Sequence, residues 1–175
     1  FFVGGTDAFI VHIEKDGTVT TKNNALTGKV TGIHKAAEMP DGNLWVSRQG
    51  EGVLMLDRQG KIHHVRDRNG REYNYAGFCI GSDKRLYACN AEAGLFVFNE
   101  KTRFFEPACA AGEVLKMRDI KAIPNSSLLC IATDGNGVKF YDCNSRSFVS
   151  STQCEDPFID ISSQKVHSLY INKEG

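Results

Sequence analysis

The chain has 175 residues with 21 basic and 21 acidic side chains, so its formal net charge at pH 7 is +0. This balance argues against nucleic acid and anionic membrane surfaces as partners, because both require a basic excess. No apolar run approaches the ~20 residues that a membrane helix needs, so we expect no direct membrane insertion. The 17 glycines and 4 prolines favour many tight turns over long helices.

A two-residue pattern, a small residue followed by a larger apolar one, occurs four times in the chain. The copies are ~43 residues apart, a period typical of repeated four-stranded units. The four copies are Ala8-Phe9, Gly52-Val53, Gly94-Leu95 and Gly137-Val138. Short runs of alternating apolar residues bounded by polar turns surround each copy, and such runs predict antiparallel hairpins. No segment has a sustained period of 3.6 residues, so almost no helix is expected.

The predicted strands follow one order along the chain. The first unit lacks its opening strand and supplies strands at Phe1–Val3, Phe9–Ile13 and Thr18–Lys22. The second supplies Ile33/Ala36 as an inner apolar pair, then Leu44–Val46, Val53–Asp57 and Lys61–Arg66. The third supplies Tyr75/Phe78, Leu86–Ala88 and Leu95–Asn99; the fourth supplies Met117/Ile120, Leu129–Ile131 and Val138–Asp142. Val166/Leu169 opens a further unit.

The resulting fold class is all-β: a β-propeller with four-stranded antiparallel blades. Residues 1–175 form one propeller segment of about four blade-equivalents, with blade boundaries near 23–30, 67–75, 109–117 and 152–165. The last strand could complete the first blade and close a four-bladed ring. We favour the alternative, an arc of a larger ring, because the final hairpin is cut in its middle.

The segment Val30–Asp57, VTGIHKAAEMPDGNLWVSRQGEGVLMLD, resembles the two-component regulator propeller repeat. This chain departs from the repeat at Ser47-Arg48, where Gly-Thr is usual, and has Tyr87 and Cys130 in place of the Trp45 of the best copy. The resemblance implies blades of a seven-bladed propeller in the periplasmic sensor region of a hybrid histidine kinase of Bacteroides-type bacteria. Such sensors respond to oligosaccharides. The implied partners are therefore a small glycan, the remaining blades and a second sensor chain.

One end of the sheets carries the candidate binding residues. In a propeller the loops that join strands two to three and four to one open on the same face, which we call the upper face. Its amides, carboxylates and guanidinium suit sugar hydroxyls, and Tyr73 or Tyr75 could add an aromatic platform. Ordinary solvated turn residues are the competing interpretation. The candidates are Asp7, Arg48, Gln49, Glu51, Asn90, Glu92, Asp134 and Asn136.

No catalytic residue, metal site or cofactor is expected. His63 and His64 are adjacent on a strand and therefore face opposite ways, and no nucleophile elbow, H-E-x-x-H or P-loop motif occurs. Two other functions stay open. A propeller enzyme of lyase or lactonase type would need histidines such as His34 and His167 clustered at the axis, and a protein-binding scaffold would need an exposed apolar patch.

Cysteine usage does not identify the compartment. The six cysteines are widely and irregularly spaced and no C-x-x-C occurs, which argues against a zinc knuckle or a thioredoxin-type site. Most are expected to be buried thiols. Cys79 and Cys89, on adjacent strands of one hairpin, leave open whether a disulfide joins them.

Overall fold

The computed structural model describes residues 2–4, 9–22, 33–48, 52–72, 75–109, 115–149 and 164–172. Within these ranges the chain is all-β and contains no helix. The strands are β1 (Phe2–Gly4), β2 (Phe9–Ile13), β3 (Val19–Lys22), β4 (Ile33–Glu38), β5 (Leu44–Arg48), β6 (Gly52–Leu56), β7 (Ile62–Val65), β8 (Gly77–Ile80), β9 (Leu86–Asn90), β10 (Gly94–Asn99), β11 (Phe104–Pro107), β12 (Met117–Ala122), β13 (Leu128–Thr133), β14 (Val138–Asp142) and β15 (Ser147–Val149).

The strands form four antiparallel sheets in chain order. The first has the order β1-β2-β3, and the other three have the orders β4-β5-β6-β7, β8-β9-β10-β11 and β12-β13-β14-β15. We call these the first to fourth sheets. The opening strands β4, β8 and β12 contact one another in succession, so they define an inner edge, whereas β7, β11 and β15 lie at the outer edge. The predicted quartets are therefore confirmed for the three complete sheets.

The second strand of each complete sheet is buried along nearly its whole length, so side chains on both of its faces are covered. Along β5, Trp45 belongs to the apolar cluster shared with the third sheet, whereas Leu44 and Val46 belong to a cluster on the opposite face. Alternation of side chains across a strand separates the two sets. Trp45 thus fills the gap between two blades, as the sequence predicts.

Aromatic rings join the second sheet to the third. Phe105 is 1% exposed, and its ring centroid lies 4.9 Å from that of Tyr75, 5.5 Å from Phe98 and 5.9 Å from Trp45. Offset and edge-on contacts at such distances are favourable for aromatic pairs. Tyr75 is therefore a core residue and does not offer a platform on the binding face, whereas Tyr73 lies outside the described residues.

A separate cluster joins the third sheet to the fourth. Met117 and Ile120 of β12 have no exposed surface and pack with Leu129 and Ile131 of β13 against Tyr87. The pairing of β12 with β13 has a bulge between Met117 and Asp119, and a bulge permits two nearby residues to face the same core. The pair Met117/Ile120 predicted from the sequence owes its three-residue spacing to this bulge.

The segment 164–172 lies against the fourth sheet without forming a strand in the described part of the chain. Val166 donates its N–H to the carbonyl of Thr133, and Lys165 forms an isolated bridge with Asp134. The sequence predicts an inner strand here. Within the described residues the only ladder pairing of this segment is that bridge, so the inner strand stays a prediction.

Candidate functional site

The eight candidate residues are not equally accessible. Asp7, Gln49 and Glu51 lie outside the described residues. Of the five that the structure describes, Glu92 and Asn136 are exposed, Asp134 is half-buried, and Arg48 and Asn90 are buried.

Arg48 is the largest departure from the expected binding face. It is the last residue of β5, pairs with Gly52 of β6 and has no exposed surface. The sequence predicts a solvated loop from Ser47 to Gly52, but β5 extends through Arg48 and β6 begins at Gly52. The side chain of Arg48 is enclosed by protein in this structure.

Asn90 shapes the turn that carries Glu92. Its side-chain Oδ1 accepts the backbone N–H of Glu92 at 2.6 Å and that of Ala93 at 2.9 Å. An asparagine that accepts hydrogen bonds two and three residues ahead closes a tight turn. Asn90 therefore supports the turn, and Glu92 presents its carboxylate to solvent.

A groove of about 550 Å³ lies beside Glu92 on the upper face, between the second and third sheets. Its wall on the third sheet is formed by the 92–93 turn and the ends of β10 and β11, and its other wall by the turn at residues 67–69. The lining residues are Asp67, Arg68, Asn69, Glu92, Ala93, Phe96, Phe105, Glu106 and Pro107. The floor is apolar and the rim carries charge.

The 67–71 turn is attached to the outer edge of the third sheet. Phe105 donates its N–H to the carbonyl of Arg66 at 3.2 Å, and Asp67 forms a parallel bridge with Phe105. The carboxylate of Asp67 in turn accepts the N–H groups of Asn69 at 2.8 Å and Arg71 at 2.7 Å. The connection between two blades thus covers an edge strand and fixes one wall of the groove.

Glu106 of β11 and Arg68 of the 67–69 turn form a second charged part of the rim, one from each wall of the groove. Arg68 Nη2 lies 3.5 Å from Glu106 Oε1, and Asn99 donates to Glu106 Oε2 at 3.0 Å. The hydrogen bond from Asn99, with smaller contributions from Thr102 and Arg68, lowers the pKa of Glu106. Glu106 is therefore an acceptor held in place at neutral pH, while the Arg68 side chain is 75% exposed and retains donors for a ligand.

Asp134 and Asn136 occupy the equivalent loop of the fourth sheet, apart from this groove. Arg118 donates to Asp134 Oδ2, and Lys165 Nζ lies 3.7 Å from Asp134 Oδ1. The hydrogen bond from Arg118 is the main reason that the pKa of Asp134 is lowered. The structure thus engages this carboxylate with two cations that sequence reasoning missed.

Of the two histidines named for the enzyme alternative, only His167 has a described side chain. His167 is exposed in the 164–172 segment, and the side chain of His34 lies outside the described atoms. Cys79 and Cys89 are free thiols; Cys79 faces Tyr87 and Cys89 faces Gly77 in the ladder. The two thiols are diagonal neighbours, which disfavours a disulfide.

No protein-family model matches this chain, and a comparison with curated proteins finds no match either. Solved structures do match. Virginiamycin B lyase from Staphylococcus aureus, determined with quinupristin, has a TM-score of 0.62 at 17% identity, covering 85% of this chain and 53% of that one. A streptogramin B lyase has a TM-score of 0.62 at 18% identity, covering 81% of this chain and 46% of that one.

The extracellular domain of a hybrid two-component system, BT3049 from B. thetaiotaomicron, matches over more of the chain. Its TM-score is 0.60 at 20% identity, with 91% of this chain and 20% of that one covered. The fold is a β-propeller. This chain spans about half the length of the lyase chains and a fifth of the sensor chain, and at these identities the likeness concerns the fold alone. The described residues contain no helix that is long and apolar enough to cross a membrane.

Proposed function

We propose that this chain is a non-catalytic part of the extracytoplasmic sensor region of a hybrid two-component histidine kinase, in the periplasm, and that it binds an oligosaccharide in the upper-face groove. The observation that carries the proposal is the groove itself, where an exposed carboxylate and an exposed guanidinium flank an apolar floor. The repeat motif at Val30–Asp57 and the match to an extracellular sensor domain over 91% of the chain support the class of parent protein.

The groove has the chemistry that a sugar ring requires. Sugar hydroxyls need paired donors and acceptors, which Arg68 and the carboxylates of Glu92 and Glu106 supply. The C–H face of a sugar packs on apolar surface, which Phe96 and Pro107 provide. The volume of about 550 Å³ lies within the usual range for small-ligand sites.

Binding in this groove would act on two sheets at once. Asp67, Arg68 and Asn69 belong to the connection that leaves the second sheet, whereas Glu92 and Glu106 belong to the third. A ligand that contacts both walls favours the arrangement in which they are closest, and it shifts the population of sensor states accordingly. The partners in this response would be the neighbouring blades and a second sensor chain.

Glu92 is the residue to test, since Arg48 is buried and its replacement would disturb the core. A panel of oligosaccharides is screened by thermal shift against the intact sensor, and each active member is retested on Glu92→Gln. We expect the ligand-induced shift to disappear in Glu92→Gln while the melting temperature without ligand stays the same. Glu100→Gln is the matched control, because Glu100 is also an exposed glutamate and lies in the turn at the opposite end of β10.

Two outcomes would count against the proposal. If no oligosaccharide in the panel shifts the melting temperature of the chain or of the intact sensor, the proposed oligosaccharide binding is refuted. If the shift is retained in Glu92→Gln, the groove is not the binding site. The lyase structures set a third measurement: mass spectrometry of an active oligosaccharide, and of quinupristin, after incubation. We expect both compounds to remain intact. A reaction product would show that this chain is a propeller enzyme and would contradict the sensor proposal.

A further inference from the structure

A buried carboxylate lies at the inner edge of the fourth sheet, away from the groove. Asp119 of β12 is 1% exposed. Its Oδ1 accepts the N–H of Ile120 at 3.0 Å, and its Oδ2 accepts the N–H of Leu169 at 3.1 Å. β12 is the first strand of its sheet, so backbone donors along this edge need partners from outside the ladder. Asp119 provides such a partner for Ile120, and its bond from Leu169 ties the segment 164–172 to the sheet.

Two lysines converge on the same oxygen of this carboxylate. Lys35 Nζ lies 3.5 Å from Asp119 Oδ1 and Lys121 Nζ lies 3.6 Å from it. Lys121 is on the same strand, but Lys35 belongs to β4 of the second sheet and reaches past β8 of the third. Gly77 leaves the space for this contact, since a Cβ at that position would lie 3.1 Å from Asp119 Oδ1.

The three positions are equivalent in their blades. Lys35 and Asp119 each follow the bulge of an inner strand, and Gly77 is the first residue of β8, opposite Cys89. The pattern at this position is thus lysine, glycine and aspartate in three successive sheets. A cation can span the middle sheet because the middle position has no side chain.

This cluster has more positive than negative charge. Asp119 uses both oxygens on backbone N–H groups, and the distances of 3.5 and 3.6 Å to the ammonium groups exceed those of ordinary N–H···O hydrogen bonds. Each ammonium has three donors, and the side chains of Lys35 and Lys121 are 38% and 37% exposed. Two half-exposed cations facing one buried anion leave a net charge of about +1 with donors still available.

We propose that Lys35 and Lys121 form an anion site at the inner edge that binds one carboxylate group of a ligand, with Asp119 as the positioning residue. The two Nζ atoms both lie within 3.6 Å of one atom, so they are no farther apart than twice that distance. A carboxylate whose two oxygens each accept at about 2.8 Å can bridge such a pair. A monoanion neutralises the excess charge, whereas a dianion would leave a net negative charge beside buried Asp119.

Both lysines are required by the same balance of charges. Removal of either one leaves one ammonium and one carboxylate, with no net attraction for an anion. The site is independent of the groove proposed for oligosaccharides, and neither site requires the other.

The test compares D-glucuronate with D-glucose, two sugars that differ in the carboxylate. The whole 175-residue chain is labelled with ¹³C at the lysine ε-methylene groups and titrated with each sugar at constant ionic strength. With glucuronate we expect saturable shifts of the Lys35 and Lys121 signals with one common Kd, and with glucose no shift. In Lys35→Met and in Lys121→Met the signal of the remaining lysine should respond at least tenfold more weakly.

Lys139→Met is the matched control, because Lys139 lies on β14, two strands from the inner edge, and this variant should retain the full response. The titration of the unmodified chain is decisive even if one variant folds poorly. Shifts that rise linearly without saturation, equal shifts with glucose, or undiminished binding in folded Lys35→Met would each overturn the anion site. Failure of the oligosaccharide screen to detect binding in the groove would not affect the result of this titration.

Discussion

Replacement of Phe105 by alanine should weaken the packing between the second and third sheets and lower the free energy of unfolding. Phe105 is almost fully buried and has three aromatic neighbours, with centroid distances of 4.9, 5.5 and 5.9 Å. A buried Phe→Ala change removes apolar contact and leaves a cavity, at a cost of about 3–5 kcal/mol. Each aromatic pair adds about 0.5–1.5 kcal/mol, so we expect the upper half of that range.

The assay is urea unfolding followed by circular dichroism, with thermal melts as a second measure. A loss of about 4–5 kcal/mol lowers the melting temperature by roughly 8–20 °C in a chain of this length. Phe104→Ala is the matched control, since Phe104 is the adjacent residue of the same type and is 37% exposed; about 1 kcal/mol or less is expected there. Equal losses for both variants, or a loss below about 1.5 kcal/mol for Phe105→Ala, would refute packing of the two sheets through this ring.

Two smaller predictions concern titratable groups. The hydrogen bond from His63, and then backbone N–H groups, lower the pKa of Asp57; the resulting stabilisation is present above the unfolded pKa of roughly 3.9 and is lost as the pH falls through the lower folded pKa. Thermal melts of Asp57→Asn should therefore decline less steeply with acid than those of the parent, and parallel declines would contradict this assignment. Burial raises the pKa of Cys89 to about 12 and leaves its side chain with no exposed surface, so a maleimide near neutral pH should label Cys89 in urea only. Peptide mass spectrometry checks this, and labelling of Cys89 in the native chain would show that the hairpin opens.

The blade architecture could be predicted because its signals are local. Each hairpin carries its own alternation and its own turn residues, and strands such as Phe9–Ile13 and Val138–Asp142 have the bounds that the pattern indicates. Trp45 and Met55 belong to one face and Leu54 to the other, as a period of two requires. Burial on both faces accounts for the continuous apolar runs. The number of blades in the ring and the boundaries between blades stay predictions.

The groove could not be predicted because it depends on a contact between distant parts of the chain. The sequence DRNG at Asp67–Gly70 closely resembles DRQG at Asp57–Gly60, and each forms the same turn. Of these two turns, only Asp67–Gly70 is joined to Phe105 of the next sheet, through the bridge of Asp67. No local property of the sequence distinguishes the two turns. Sequence reasoning therefore placed Glu92, which is set by its own turn, on the upper face, and it did not indicate that Arg68 and Glu106 line the same groove.

The net charge of the whole chain does not indicate the charge at an individual site. A formal net charge of +0 removes long-range attraction for polyanions, but it averages over sites of opposite sign. The groove sets Glu92 and Glu106 against Arg68, whereas the inner edge sets Lys35 and Lys121 against Asp119. Over the ~8 Å that charges act through physiological salt, each site is governed by its own balance. The groove should therefore favour neutral ligands over acidic ones, and the inner edge should favour a single carboxylate. A ligand with a neutral sugar part and one carboxylate should then bind at both sites of the chain.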